Sequence, residues 1–471
     1  MHRRYIRVAK FACVILVVIG CTSEPDVPAR HVVLVSLDAL GAKHVGAYGH
    51  GVDTTPQLDA IAAEGAVFES VYTQQLWTLT SHLTMMTGLA PRAHGAGQQQ
   101  PARPGVLTLA QHLRSHGFAT GAFVGSGGYM AGRFGLGRGF ETYVTRNSSR
   151  SLDNTQAFAW LRAQAQRSRQ DPDHRFFLFL HYYDVHSDAN TLVPYDSPDP
   201  ERFMPEGIRW RHPGGTLVLA GLRGRTTEED LQALEALYDA SVFFVDDRGI
   251  GEIARVLEEE GLAGETLLLV TSDHGDELFE HGSFSHMQPY DEGAHVPLVV
   301  RGPGVPAGLR IPALAGLVDL MPTIMSLVGF SPPMNIQGRD LSPLLRGGPP
   351  VREAVFVDGM MTNLANYRSA AIVQDGDERL AWLGRIDVSQ GESSVEFEHQ
   401  PPAELYDLIA DPEQKRDLAA ERSDRADELE RRILDWYRDS EGFAAGLGTT
   451  EKQPMLSDSE REALRALGYG N

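Results

Sequence analysis

An α/β fold built on a large, mainly parallel sheet is what this sequence predicts, and three observations carry the prediction. Two nearly continuous aliphatic runs, Val32-Val33-Leu34-Val35-Ser36-Leu37 and Thr266-Leu267-Leu268-Leu269-Val270, have the length and composition of strands buried on both faces, as parallel strands are. Both lead to an aspartate, Asp38 and Asp273, and the second is followed at once by His274. Between and beyond them, helical and strand patterns alternate, which implies parallel strands joined by crossover helices. Open parallel sheets hold ligands at the carboxyl ends of their strands. Two strand-end carboxylates from distant chain therefore mark a candidate metal site.

The elements follow in order. Arg3, Arg4, Arg7 and Lys10 precede an apolar stretch from Phe11 to Ile19, the pattern of a secretory signal peptide and too short to span a bilayer. It ends Val18-Ile19-Gly20-Cys21, similar to the lipobox of bacterial lipoproteins. The expectation is a leader over 1–20 and an exported protein, periplasmic or on the cell surface, anchored to the membrane through lipidated Cys21. Residues 21–30, with Pro25 and Pro28, read as a tether. Thr55-Pro56 with Leu58, Ile61 and Ala62 gives a cap, a proline at the first helical position and an apolar stripe, closed by Gly65. A helix from about Thr108 to His116 stops at Gly117 and leads into a strand at Ala119 to Val124. Arg175 to His181 is another buried strand with a polar tip.

Thr226, with Glu229 three residues on, predicts a capping box. From Leu231 to Leu257 the apolar residues mark one helical face, interrupted near Gly249 and Gly251. A strand at Val296 to Val300 follows. From about residue 350 shorter strands (Ala354 to Val357, Ser369 to Val373, Arg379 to Leu383) predict a small antiparallel subdomain closed by helices.

Composition narrows the function. A chain of 471 residues with 42% hydrophobic and 22% charged residues is an ordinary globular protein, expected to form one large domain with a smaller C-terminal part. The leader carries four cations, so the formal net charge of −21 becomes −25 without it. Such acidity argues against nucleic acid as a partner. The two cysteines are Cys13 and Cys21, so a processed, lipidated chain has no catalytic thiol and no disulfide.

Asp38, Asp273 and His274 offer two hard oxygens and an imidazole. The expected cofactor is one divalent metal ion, and the donor set suits Mn²⁺ or Zn²⁺ better than an all-oxygen Ca²⁺ cage. Such an ion activates a bound hydroxyl and polarises an ester oxygen. The third element is Trp77-Thr78-Leu79-Thr80-Ser81-His82-Leu83-Thr84-Met85-Met86-Thr87-Gly88, a short helix expected to begin near Thr80 and to close at Gly88. A hydroxyl at its N-terminus, beside a metal, makes Thr78 a candidate nucleophile.

These residues resemble the sulfatase family of the alkaline phosphatase superfamily over nearly the whole mature chain. The resemblance rests on Leu37-Asp38-Ala39-Leu40 with Gly46-Ala47-Tyr48-Gly49, on Trp77 to Gly88, and on Thr271-Ser272-Asp273-His274-Gly275-Asp276-Glu277 with Glu280-His281-Gly282. Gly338-Arg339-Asp340-Leu341, Glu404-Leu405-Tyr406-Asp407-Leu408 and the ending Leu464 to Tyr469 extend it. It implies a catalytic domain over 31–350, completed by a C-terminal subdomain over 351–471. It further implies that Asp38, Asp273 and His274 ligate metal together with Thr78, which matches the Cys or Ser that other members oxidise to formylglycine.

His82 occupies the place of the motif's Arg, and His186 and His286 match residues that contact the transferred group. Ala39 replaces a second acidic ligand, and Thr80 replaces a Pro. The methyl group on the Thr78 β-carbon permits oxidation only to a ketone, so no formylglycine is expected. A Thr nucleophile on this ligand set resembles lipoteichoic acid synthases.

Two functional classes follow. One is an exported hydrolase of sulfate or phosphate/phosphonate esters with Thr78 as nucleophile and His186 or His82 protonating the leaving group. The other is an inactive lipoprotein that binds sulfated or phosphorylated glycans or small molecules.

Overall fold

The computed structural model describes residues 28–97, 100–125, 130–146, 152–187, 193–195, 197–212, 214–215, 224–286, 288–361, 367–374, 380–387 and 403–448, with backbone alone at 359–361, 367–370, 374 and 384–387. The leader, Cys21, most of the tether and the ending Leu464 to Tyr469 lie outside them. Among the described residues no helix is long and apolar enough to cross a membrane.

Among the described residues fifteen strands are named in chain order. They are β1 (His31–Leu37), β2 (Ala66–Tyr72), β3 (Phe118–Val124), β4 (Thr142–Thr145), β5 (Arg175–Tyr182), β6 (Thr266–Ser272), β7 (Glu277–Leu278) and β8 (Phe284–Ser285). After these come β9 (His295–Val296), β10 (Leu298–Arg301), β11 (Leu309–Gly316), β12 (Ala354–Met361), β13 (Tyr367–Gln374), β14 (Leu380–Asp387) and β15 (Glu404–Asp407). The large sheet runs β11-β2-β10-β6-β1-β5-β3-β4, with β9 paired to β2. Strands β6, β1, β5, β3 and β4 are mutually parallel, and β11 is parallel to β2. Strand β10 runs against both neighbours. This is the mainly parallel α/β sheet that the aliphatic runs predict.

Successive side chains of a strand point to opposite faces, and here each face has its own core. Val32 and Leu34 pack with Phe177 and Phe179 on one side. Val33, Val35 and Leu37 pack with Phe176, Leu178 and Leu180 on the other. The expected strand Val296 to Val300 is two strands, because Pro297 has no N–H to continue the ladder; β9 pairs with β2 alone, and β10 pairs with both β2 and β6.

The capping box lies one residue later than expected. Thr227 Oγ1 accepts from Asp230 N at 3.2 Å, and Asp230 Oδ2 accepts from Thr227 N at 2.9 Å. The helix Glu228–Val245 then widens into a π-helical turn, Asp246–Gly251, before Glu252–Glu259. The turn is useful: Asp246 accepts from Gln57 N at 2.8 Å and Leu58 N at 2.9 Å, satisfying the free N–H groups that open the helix Pro56–Ala63.

Strands β12 to β15 form the small antiparallel sheet. Helix Ser423–Ala444 seats Leu429, Ile433 and Tyr437 against Ile372, Trp382 and Leu405 of that sheet. Tyr437 also donates to Asp358 at 2.8 Å, and the Arg92 guanidinium lies 3.9 Å over its ring. The small sheet is thereby fastened to the segment that follows the Thr78 helix.

Candidate metal centre and active site

Strand register builds the site. Leu37 stands opposite Ser272 on one side and Tyr182 on the other, so Asp38 and Asp273 leave the sheet side by side. Asp38 N donates to Tyr182 O at 2.8 Å. Asp273 Oδ1 accepts from Ala39 N at 3.2 Å and His274 N at 3.0 Å, which fixes that carboxylate. Ala39 bends the chain with a φ of 63°, a conformation costly for any residue but glycine. Gly275 is required where it stands, because a Cβ there would lie 2.0 Å from the Glu292 carbonyl oxygen.

Four polar atoms then meet in a fully buried space. Both oxygens of Asp38, Oδ2 of Asp273 and Nε2 of His274 have no hydrogen-bond partner. His274 Nε2 lies 3.6 Å from Asp38 Oδ1 and 3.4 Å from Asp273 Oδ2. Burying such atoms unpaired is expensive, and a cation is the one occupant that two carboxylates and an imidazole would satisfy together. The donor set fits a divalent ion, and the three residues form one of the ligand groups within mutual reach. Left to themselves, burial and the neighbouring carboxylate Asp273 hold Asp38 well above the usual carboxylate range. Burial pushes Asp273 up to about 6 and His274 down to about 3.

The helix Thr78–Thr87 begins at Thr78 itself, two residues earlier than expected, and closes at Gly88 with a φ of 65°. It is tied to the candidate metal ligands at its first turn, where Ser81 Oγ donates to Asp273 O at 2.8 Å. His82 is fully buried, with Nδ1 donating to Thr78 O at 2.7 Å and Nε2 2.9 Å from Ser36 Oγ. A carbonyl only accepts, so the ring proton sits on Nδ1 and the Ser36 hydroxyl donates to Nε2. Burial lowers the pKa of this imidazole. His82 thus spans the helix and β1.

His186 and His286 stand on the other side of His274, with ring centroids 6.2 Å and 4.1 Å from it. His186 Nδ1 donates to Ser187 O at 2.6 Å, and His286 Nδ1 lies 3.0 Å from Asp276 Oδ1. Tyr195 donates to Asp276 Oδ2 at 2.9 Å. Burial brings both histidines down to about 4.

His281 stacks on Tyr290 at 3.7 Å and lies 3.3 Å from Glu292, which organises the loop between β7 and β9. Gly125 permits close approach, since a Cβ would meet Tyr183 Cβ at 2.9 Å. The stretch after it, Ser126 to Gly128, and part of the segment from Asp188 to Gly224 lie outside the described residues.

Two residues are added by the structure. His181, the polar tip of β5, places Nε2 3.2 Å from Asp38 Oδ2. Asp276 orients His286. The rule that singled out Asp38, a polar residue ending an apolar strand, also points to His181.

The Sulfatase family model matches residues 30–330. The chain belongs to the sulfatase family. It is similar to arylsulfatase K of Xenopus laevis, 24% identical over 87% of this chain and 83% of that protein. The human arylsulfatase K is 25% identical over 67% of this chain and 66% of its own length, and the rat protein is matched over 62% of its length. In fold the chain is similar to the phosphonate monoester hydrolase of Agrobacterium radiobacter, with a TM-score of 0.65 and 20% identity over 90% of this chain and 97% of that one. A structure in complex with its substrate D-glucosamine-2-N,6-O-disulfate gives 0.65 and 19% over 88% and 98%. This chain is accordingly a sulfatase-family hydrolase.

Proposed function

We propose that this protein is an exported, metal-dependent esterase in which unmodified Thr78 is the nucleophile. The observation that carries the reading is the buried set of unpartnered Asp38, Asp273 and His274 atoms, fastened through Ser81 to the helix that opens with Thr78. Asp38, Asp273, His274 and Thr78 Oγ1 would hold one divalent ion, which supplies Lewis acidity toward the hydroxyl and the ester oxygen. Thr78 Oγ1 gives up its proton and bonds to the phosphorus or sulfur as the bond to the leaving oxygen breaks, and that oxygen takes up a proton, so the step is balanced in protons. Water then cleaves the Thr78 ester and restores the hydroxyl.

Geometry divides the histidines. His82, with both ring nitrogens engaged, positions the Thr78 helix, and the contact with the leaving oxygen falls to His186 and His286. An alcohol nucleophile favours phosphorus over sulfur, because the aldehyde hydrate of formylglycine is closed to threonine. The substrates are phosphorylated or sulfated small molecules or glycans, in keeping with the disulfated sugar and phosphonate chemistry named for proteins of like fold. The lipobox-like Cys21 supports anchoring to the membrane, with the catalytic domain over 31–350 and the C-terminal subdomain beyond it.

The test is turnover of p-nitrophenyl sulfate, p-nitrophenyl phosphate, p-nitrophenyl phenylphosphonate and bis-p-nitrophenyl phosphate by metal-loaded protein beside Thr78→Ala. Turnover of a phosphorus ester that falls by about 10³-fold or more in Thr78→Ala is the expected result. Equal rates in the two proteins would remove Thr78 from the mechanism, and metal binding without turnover of any ester would favour a glycan-binding role.

A further inference from the structure

Away from the Asp38 site, a second set of metal-ligating side chains is assembled from distant chain. His44 and His50 belong to the loop that follows Asp38, and Asp239 to the helix Glu228–Val245. His44 Nδ1 lies 2.8 Å from Asp239 Oδ1, and His50 Nε2 lies 3.1 Å from Asp239 Oδ2. The imidazole centroids are 5.1 Å apart, and the three donors lie within mutual reach in a group that shares no residue with those around Asp38. From this geometry we propose that His44, His50 and Asp239 form a zinc site distinct from the catalytic centre.

The chemistry fits. Two imidazoles and one carboxylate are a borderline N/O donor set, suited to Zn²⁺ and unsuited to Mg²⁺ or Ca²⁺. At zinc–ligand lengths of about 2.0–2.2 Å, neighbouring tetrahedral donors stand roughly 3.3–3.5 Å apart. The observed 2.8 and 3.1 Å therefore need only a small opening of the cluster. His50 is the surface member, its side chain 12% exposed, so entry and a fourth, water ligand both come from the solvent side.

On binding, each imidazole presents the nitrogen that faces Asp239 and carries its proton on the other.

The frame is already rigid. Thr54 Oγ1 donates to His44 O at 2.7 Å, and Gly46 N donates to Thr55 Oγ1 at 2.8 Å, which holds the loop that carries both histidines. Next to Asp239, Tyr238 donates to Ala39 O at 2.6 Å and accepts from Gly41 N at 3.1 Å. Zinc here would fasten the far end of the loop to the helix that already clamps its near end, beside Asp38.

The experiment counts bound metal in the chelator-stripped full chain reloaded with Co²⁺ or Zn²⁺, using elemental analysis and the visible d–d absorption of Co²⁺. Asp273→Asn, which disables the catalytic ligand set, is expected to keep a tetrahedral Co²⁺ spectrum. The double variant Asp273→Asn/His50→Gln is expected to lose it, with affinity down by at least about tenfold. A spectrum absent in Asp273→Asn, or unchanged in the double variant, would overturn the proposal. Should the Asp273→Asn background fail to fold, wild type and His50→Gln decide: one fewer ion in His50→Gln supports the site, and equal content removes it.

Discussion

Asp38 and Asp319 are both fully buried aspartates, and they have opposite surroundings. Asp319 accepts from Gly316 N at 2.9 Å, from Arg339 N at 2.7 Å and from Arg352 Nε at 2.6 Å, and its other oxygen pairs with the second arm of the same guanidinium. Asp38 has no hydrogen bond to either oxygen and faces Asp273. A protein that can satisfy a buried carboxylate this fully in one place leaves another bare only where something else completes it. Burial by itself therefore does not mark a functional acid; burial without donors does.

Making the same substitution at both positions breaks the comparison most sharply. Asp38→Asn removes a ligand of the proposed metal, and the reaction is expected to slow by well over about 100-fold, since even the partners that orient ligands are worth 10–100-fold. Stability of the metal-free protein should hold, because burial and the neighbouring Asp273 already push Asp38 toward its neutral form and the amide that replaces it is neutral too. Asp319→Asn turns one acceptor oxygen into a donor facing donors and leaves Arg352 without its partner. Unfolding free energy is expected to fall by roughly 3–5 kcal/mol, while the protein that stays folded keeps its turnover per bound metal. Denaturant melts of chelated protein, paired with kcat/KM of loaded protein, separate the two. Equal stability losses would dissolve the distinction.

Asp246 sharpens the comparison from a middle position. It accepts two backbone N–H groups, yet burial still pushes it up to about 7, so two neutral donors do not replace water. Its pKa is raised on folding, so the folded state binds more protons than the unfolded chain between about pH 4 and pH 7. The stability it contributes is complete below about pH 4 and is lost as the pH climbs through 7. Wild type is expected to lose as much as roughly 4 kcal/mol from this group over that window, and Asp246→Asn to lose that part of the slope. Urea melts at intervals of pH read the effect, and a slope identical in the variant would assign it to other groups.

How much of this was legible in the sequence differs by residue. Asp38 and Asp273 were, because an apolar run ending in a carboxylate has few structural uses. Thr78 was visible as the opening of a short helix closed by Gly88, although its start was placed two residues late. His181 was legible only as the polar tip of a strand; that it meets Asp38 depends on Ser36 standing opposite it, a pairing that no local pattern encodes.

The reversed direction of β10 was hidden for a similar reason, since Leu298-Val299-Val300 reads alike both ways. Thr226 and Thr227 each precede an acid at the third position on, and only the observed hydrogen bonds choose between them. The approach of His44 to Asp239 joins residues 195 apart, beyond any spacing rule. Periodicity finds elements and their ends; it does not find which ends meet.

Ala39 offers the smallest expected effect and the finest form of the comparison. Its φ of 63° costs about 1–2 kcal/mol for a residue with a Cβ, and glycine would escape that cost. Glycine also gives the unfolded chain more freedom, worth about 0.5–1 kcal/mol in the opposite sense. Ala39→Gly is thus expected to leave stability within about 1 kcal/mol of wild type. Its effect should appear in the site, because Asp38 adjoins it and Asp273 Oδ1 accepts from its N–H. A looser residue there is expected to weaken metal affinity by severalfold, up to the tenfold at the lower end of ligand-orienting effects. Metal titration beside a denaturant melt makes the measurement. A gain of more than about 2 kcal/mol with unchanged metal affinity would mean that the strained turn serves only to connect β1 to the next loop. Weaker metal binding at constant stability would mean that the strain keeps Asp38 and Asp273 facing one another.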